Sequence, residues 1–193
     1  PAADVLLGGL SKQKWASGEV IGLAFHVDYW DRLGWKDRFS DKIYSLRQRR
    51  YAQFFSENSV YTPQMVVDGH TGFVGSNRGR ATRAIESAFL NADQVRVSLS
   101  VVGPPKESVT LSYSIAGSLE GLDVNVVLAQ KETSTDVKHG ENGGRVLRHS
   151  HVVRVFTRFP AETAGRTELK IPEDVSAKDL DAIIYLQDRT DMA

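Results

Sequence analysis

Apolar and polar positions change rhythm once along the chain. Up to about residue 92, helical and strand patterns take turns, and from about residue 94 period-two alternation dominates. That shift predicts an α/β domain over 1–92 and an antiparallel β-rich domain over 93–193. Pro1-Ala2-Ala3-Asp4 reads as a helix start, because proline suits a first turn and Asp4 opposes the positive end of the dipole. Val5, Leu6, Leu7 and Leu10 supply its apolar face, Gly8-Gly9 weakens it and Ser17-Gly18 can end it. The run Val20 to Phe25 reads as a strand covered on both sides. Phe39, Ile43, Leu46, Tyr51, Phe54 and Phe55 recur at threes and fours and predict a helix over 39–55, capped by Asp37 or Ser40. A proline-initiated strand, the Asp68-Gly69 turn and Gly72-Phe73-Val74 form a hairpin. Ser76 or Asn77 then caps a helix whose core face is Ala81, Ile85, Ala88 and Phe89.

In the second half, Val95 to Val101, Val109 to Ile115, Val124 to Leu128, Val146 to Phe156 and Ile183 to Leu186 read as strands. Short alternating strands with turn residues between them predict a sandwich-like antiparallel fold. Lys131 to Gly144 is polar and glycine-containing, which predicts an exposed, mobile loop.

Composition narrows the function classes. Twenty-four Lys plus Arg balance twenty-four Asp plus Glu, so no basic excess points to nucleic acid. The densest positive run, Arg47-Gln48-Arg49-Arg50, lies on the polar face of a helical pattern. No apolar run approaches the roughly 20 residues of an integral membrane segment. PAADVLLGGL has no basic stretch before its apolar part and so does not read as a signal peptide. With no cysteine, the chain has neither disulfide nor thiolate metal site within it.

Two segments carry candidate chemistry. Thr62-Pro63 opens an apolar strand. An ordinary trans proline at a strand start is one reading, and a second comes with the resemblance given below. The segment His26-Val27-Asp28-Tyr29-Trp30-Asp31-Arg32-Leu33-Gly34-Trp35 follows the end of a predicted strand, where open α/β sheets hold ligands. His26, Asp28, Tyr29, Trp30 and Trp35 are therefore candidate binding residues, with His26 a candidate proton shuttle. The alternative is that both tryptophans pin a loop. His26, Asp28 and Asp31 lack a convincing further ligand, so no metal is expected. His149 and His151 alternate onto one face of a predicted strand and read as solvent-facing or hydrogen-bonded structural residues. Gly143-Gly144-Arg145 lacks the Lys-Ser/Thr of a phosphate loop and reads as a lead into a strand. No G-x-S-x-G nucleophile signature occurs, no residue is assigned a catalytic role, and no cofactor is called for.

The order helix, strand, helix, strand, hairpin strand, helix resembles a thioredoxin-like domain without its opening strand. Three stretches deepen the resemblance: LAFHVDYWDRLGWKDRFS (Leu23 to Ser40), RQRRYAQFFSENSVYTPQMVVDGHTGFVGS (Arg47 to Ser76) and NGGRVLRHSHVVR (Asn142 to Arg154). They are similar to a domain-of-unknown-function family of mostly secreted or periplasmic bacterial proteins. In that family a thioredoxin-like domain precedes a β-rich one. The resemblance implies a cis Thr62-Pro63 bond facing substrate, a periplasmic or secreted location, and an opening strand with a Cys-x-x-Cys loop ahead of Pro1. It also implies that the opening strand lies between Val20-Phe25 and Gln64-Val67. Its absence would leave backbone groups unpaired at about 1–3 kcal/mol each, so residues are expected before Pro1. Two functions stay open. One is a thiol–disulfide oxidoreductase in the intact protein, not thiol-active as this cysteine-free chain. The other is a redox-inactive module that binds an extended peptide or a protein.

Overall fold

The structure is a computed structural model and describes residues 2–90, 95–138, 143–190 and 192. Among the described residues it is a mixed α/β fold with three α-helices and three antiparallel sheets. By backbone contacts the chain forms two compact units, Pro1–Asn91 with Glu132–Val152, and Ala92–Lys131 with Val153–Ala193. The division adds to a break near residue 92 a second one, within two long strands described below.

In the first unit, helix α1 (Ala2–Lys12) buries Leu6, Gly8 and Leu10. Helix α2 (Lys42–Phe54) begins where the Asp41 side chain accepts from the Ile43 amide. The cap is therefore Asp41, not Asp37 or Ser40, because those two are engaged inside the preceding loop. Strands β1 (Gln64–Val67) and β2 (Thr71–Val74) pair as a hairpin. Asp68 and Gly69 take left-handed conformations, φ 52° and 71°, that turn it. Helix α3 (Arg78–Leu90) is capped by Asn77, whose side chain accepts from the Arg80 amide. Leu6, Leu10, Phe73, Ala81 and Ile85 form this unit's apolar cluster, with Trp15, Met65, Val67 and Phe89 packed on it.

The expected strand at Val20 to Phe25 is not a regular strand. Its backbone finds unlike partners: the Gly22 amide donates to Ser11 Oγ on α1 at 3.1 Å, and the Ala24 amide donates to the carbonyl of His151 at 2.9 Å. A side chain added at Gly22 would meet Ser11 Oγ at 2.5 Å, so glycine lets this segment lie directly on the helix. A ladder needs a continuous neighbour, and here only single bridges form, Ala24 with Val152 and Val27 with Asp41.

In the second unit, β3 (Arg96–Val101), β4 (Ser108–Ala116) and β7 (Ala164–Lys170) form one sheet in the order β3-β4-β7. Strands β6 (Val146–Pro160), β5 (Leu122–Asp136) and β8 (Leu180–Asp188) form another, ordered β6-β5-β8, of which residues 132–136 of β5 and 146–152 of β6 belong to the first unit. One apolar cluster draws on both sheets: Val109, Leu111, Tyr113 and Ile115 from β4, Leu169 from β7, and Val124, Val126 and Leu128 from β5. Strand β5 is buried on both faces from Asp123 to Ala129. Here one expectation needed correction and one strand was not expected. Lys131 to Gly144 is not one loop, because β5 runs on through Asp136; its polar residues are half-exposed ladder positions, and 139–142 lie outside the described residues. Strand β7 has too few apolar residues to register as a strand, yet it pairs with β4 from Ser108↔Lys170 to Ser114↔Ala164. Among the described residues no helix is long and apolar enough to cross a membrane.

Candidate functional site

The site in the first unit starts from a glycine. A Cβ placed on Gly75 would lie 3.2 Å from Cβ of Pro63 and 3.3 Å from Cβ of Ala3. The chain after β2 therefore fits between the Pro63 loop and the first turn of α1 because residue 75 has no side chain. The Gly75 amide also donates to the Pro63 carbonyl at 2.8 Å. The Thr62–Pro63 peptide bond is cis, and both residues are exposed.

The aromatic bend reaches the same place. Trp30 Nε1 donates to Thr62 Oγ1 at 2.9 Å, while the indole stays half-exposed. Tyr29 stacks obliquely on Trp30, with ring centroids 5.4 Å apart, and its hydroxyl donates to Gln48 Oε1 at 2.9 Å. Gln48 is buried on α2, and its amide nitrogen donates to the Tyr61 carbonyl at 2.6 Å and to Gln64 Oε1 at 3.2 Å. One amide side chain thus ties the bend to the residues on either side of Thr62-Pro63. Gln64 in turn donates to Glu57. Burial pushes the Tyr29 phenol pKa up, against hydrogen bonds with Thr62 and Gln48 that pull it down. Asp28 is fastened to α2, since Ser45 Oγ donates to its carboxylate at 2.5 Å and accepts from its amide. Asp31 closes the bend on itself by accepting from the Asp37 amide and the Ser40 hydroxyl. Trp35 lies half-buried within that bend.

Beside this surface sit two Asp–His pairs. His26 Nδ1 lies 2.5 Å from Asp37 Oδ2, and His149 Nδ1 lies 3.0 Å from Asp4 Oδ1. The two imidazoles meet edge to face at 5.0 Å, and Phe39 packs on both. Burial would raise the Asp37 pKa, but the His26 hydrogen bond and charge, the Phe39 amide and His149 together hold it below the usual carboxylate range. Asp4 belongs to the first turn of α1 and His149 to β6. The helix approaches β6 closely because residue 8 is glycine: a Cβ there would stand 2.9 Å from Ser150 Oγ. Asp4 is one helical turn before Gly8 and so shares its face. Strand β6 also departs from regular pleating at His151, φ 49°, so the buried positions run His149 then Val152 rather than every second residue.

The residues expected at a site are partly gathered. Thr62, Pro63, Tyr29 and Trp30 meet at one surface, Asp28 supports it from below through α2, and His26 turns to Asp37 and His149. Sequence reasoning missed Gln48, Gly75, Asp4 and the burial of His149. The helix-weakening Gly8 was the one visible signal, since a glycine inside a helix often marks a close approach. Gly144 and Arg145 close the end of the β5–β6 ribbon through bonds with Val137, as a lead into a strand. Among the described residues no group of three or more His, Cys, Asp or Glu is placed to hold a metal ion.

The model of a family described as "Protein of unknown function (DUF1223)" matches residues 1–187. No curated protein matches. A crystal structure of a protein from Agrobacterium tumefaciens, solved by a structural genomics consortium, is similar at 26% identity and TM-score 0.67, over 88% of this chain and 71% of that one.

Proposed function

The chain belongs to the DUF1223 family, whose description names no activity, and we propose its function from the site itself: it binds an extended peptide across Thr62-Pro63, as a thioredoxin-like domain does. One observation carries this reading. Three separate elements converge on one exposed dipeptide: the first turn of α1 across Gly75, the Trp30 indole through Thr62 Oγ1, and α2 through Gln48. Exposed Thr62 offers its main chain to a strand-like ligand, and the half-exposed Trp30 offers an apolar wall beside it. In the second unit, the single core shared by two three-stranded sheets supports a sandwich-like reading.

Thiol–disulfide exchange is the chemistry this surface suits when a Cys-x-x-Cys loop stands ahead of α1 in the natural protein. A thiolate at a helix N-terminus is stabilised by the dipole, and Pro63 lies across Gly75 from that turn. An oxidising compartment, the periplasm or the cell exterior, accords with that use. A second reading rests on the composition. These 193 residues hold no cysteine, so by themselves they bind without redox chemistry.

Titration with a reduced, unstructured peptide, followed by tryptophan fluorescence and amide NMR shifts, tests the binding claim. Shifts should gather at Thr62, Gln64 and Trp30, and Trp30→Ala and Thr62→Ala should weaken binding several-fold. Shifts confined to other surfaces would overturn it. Insulin reduction by the natural protein that is abolished by Cys→Ser substitution would support the exchange reading, and no insulin reduction would leave binding alone.

A further inference from the structure

The second unit holds a cleft that peptide binding at Thr62-Pro63 leaves without a role. Its volume is about 320 Å³, the small end of the range for ligand sites. Tyr113 of β4, Phe159 and Pro160 of β6, the Glu162 connection, and Gly165 and Arg166 of β7 line it. A strand pair makes its floor. Tyr113 stands opposite Gly165 in the β4–β7 ladder, so the two positions share a face. A Cβ on residue 165 would lie 2.5 Å from the Tyr113 hydroxyl oxygen and 2.7 Å from the ring carbon that bears it. Glycine therefore lets the tyrosine ring lie over β7, the edge strand of its sheet, and carry its hydroxyl to the cleft. The half-buried Phe159 ring packs on Tyr113 with centroids 5.9 Å apart, and Pro160 beside it is exposed.

Three polar groups of this cleft are unspent. Tyr113 is 5% exposed, yet its hydroxyl has no hydrogen-bond partner among the described residues. A buried hydroxyl is normally paired, so one that opens on a cleft is available to a ligand. Burial, and then the Glu162 charge, push the Tyr113 phenol pKa up, so the hydroxyl keeps its proton and can donate. Glu162 and Arg166 are exposed, and neither makes an ion pair or a side-chain hydrogen bond among the described residues. The chemistry of the ligand follows from the two signs. A cation would satisfy Glu162 and meet Arg166 with like charge, and an anion would do the reverse. A neutral ring of hydroxyls satisfies both, because each hydroxyl donates and accepts. Its C–H face also suits the Phe159 and Pro160 rings. A zwitterionic amino acid offers both signs as well, but it would gain only exposed ion pairs, which contribute little in water.

We infer that this cleft is a carbohydrate subsite that takes one pyranose ring. Tyr113 donates to one sugar hydroxyl, Glu162 accepts from another, Arg166 donates at the rim, and the apolar face of the sugar covers Phe159 and Pro160. A few hydrogen bonds and one small apolar face, set against the entropy lost on association, give an affinity on the order of millimolar for a single ring. The site draws only on residues of the second unit and stands independently of the peptide surface.

The test titrates the full chain with the methyl glycosides of glucose, galactose, mannose and N-acetylglucosamine, read by amide and aromatic NMR shifts. At least one glycoside should shift Tyr113, Phe159 and Gly165 saturably. Tyr113→Phe should weaken that binding roughly threefold to tenfold without lowering Tm, since it removes only the unpaired hydroxyl. Glu162→Gln, at an exposed position, should weaken it several-fold and serves should Tyr113→Phe disturb the core. Raising the salt about tenfold should leave the affinity of a neutral sugar unchanged. Absence of shifts at this cleft with all the glycosides, or full affinity in both variants, overturns the inference. So does preferential binding of free phenylalanine with an affinity that falls as salt is raised, which would make the site one for a zwitterion.

Discussion

In the second unit, Leu111, Val124 and Val126 are fully buried in a cluster fed by both three-stranded sheets, and each follows the period-two alternation of its strand. In the first unit, the apolar cluster is smaller, and much of the remaining order comes from buried polar side chains: Ser45 under Asp28, Gln48 under Tyr29 and Tyr61, and His149 under Asp4. The second unit has polar fastenings too, such as Asp123 held between Arg158 and Arg189, but they join strands that the ladders already align. In the first unit the polar groups do the aligning, since the segment from Val20 to Val27 and the bend after it have only isolated bridges. A frame held by apolar burial is non-directional, whereas one held by hydrogen bonds fixes particular atoms in place. The aligned part is where the candidate site lies.

The contrast can be broken most sharply in the core. Leu111→Ala should cost about 2–5 kcal/mol in urea unfolding, and a loss below about 1 kcal/mol would contradict an apolar frame. Gln48→Leu keeps the volume and removes the hydrogen bonds, leaving the Tyr61 carbonyl unpaired at about 1–3 kcal/mol. Its diagnostic is local: Trp30 fluorescence should shift to the red as the bend loosens, and an unchanged spectrum would show that the amide is not what aligns it. Gly75→Val forces Ala3 and Pro63 apart, with about 1–3 kcal/mol of overpacking. Peptide affinity should fall with it, and retained affinity would detach the α1 turn from the binding surface.

The smallest effect is in acid. The Asp37 pKa is lowered in the folded chain, so its stabilisation is fully present at neutral pH and is lost as pH falls below about 4 through the folded value. There the unfolded chain binds the proton first, and stability decreases with decreasing pH. Asp37→Asn should flatten that part of the melting-temperature profile and lower Tm slightly at pH 7. Parallel profiles would mean that the carboxylate contributes nothing through ionisation.

The hairpin at Asp68-Gly69, the Asn77 cap of α3 and most strands after residue 95 were legible because their signals are local: turn residues, caps and periodicity; the α2 cap was not, because Asp37 and Ser40 carry the same capping chemistry as Asp41 and only the folded loop engages them elsewhere. Strand β7 was hidden because Ala164-Gly165-Arg166-Thr167-Glu168 has almost no apolar alternation, and only the β4 edge makes it a strand. The strand expected at Val20 to Phe25 failed for the opposite reason. Apolar content marks burial, but the Gly22 amide goes to Ser11 and the Ala24 amide to His151, so no ladder forms. At the site, Thr62-Pro63, Tyr29 and Trp30 announce themselves by residue type. Gln48 and Asp4 do not, since each looks like an ordinary helix residue until its distant partner is known.

By itself, then, the amino-acid order determined where the hairpin turns, where the last helix begins and which faces are apolar, because each of those depends on a few neighbouring residues. Tertiary structure alone decided that His149 meets Asp4 across 145 positions and that Trp30 meets Thr62 across 32. Hydrogen bonds act over about 3 Å and carry no record of sequence separation, so such pairs exist only once the backbone has brought them together.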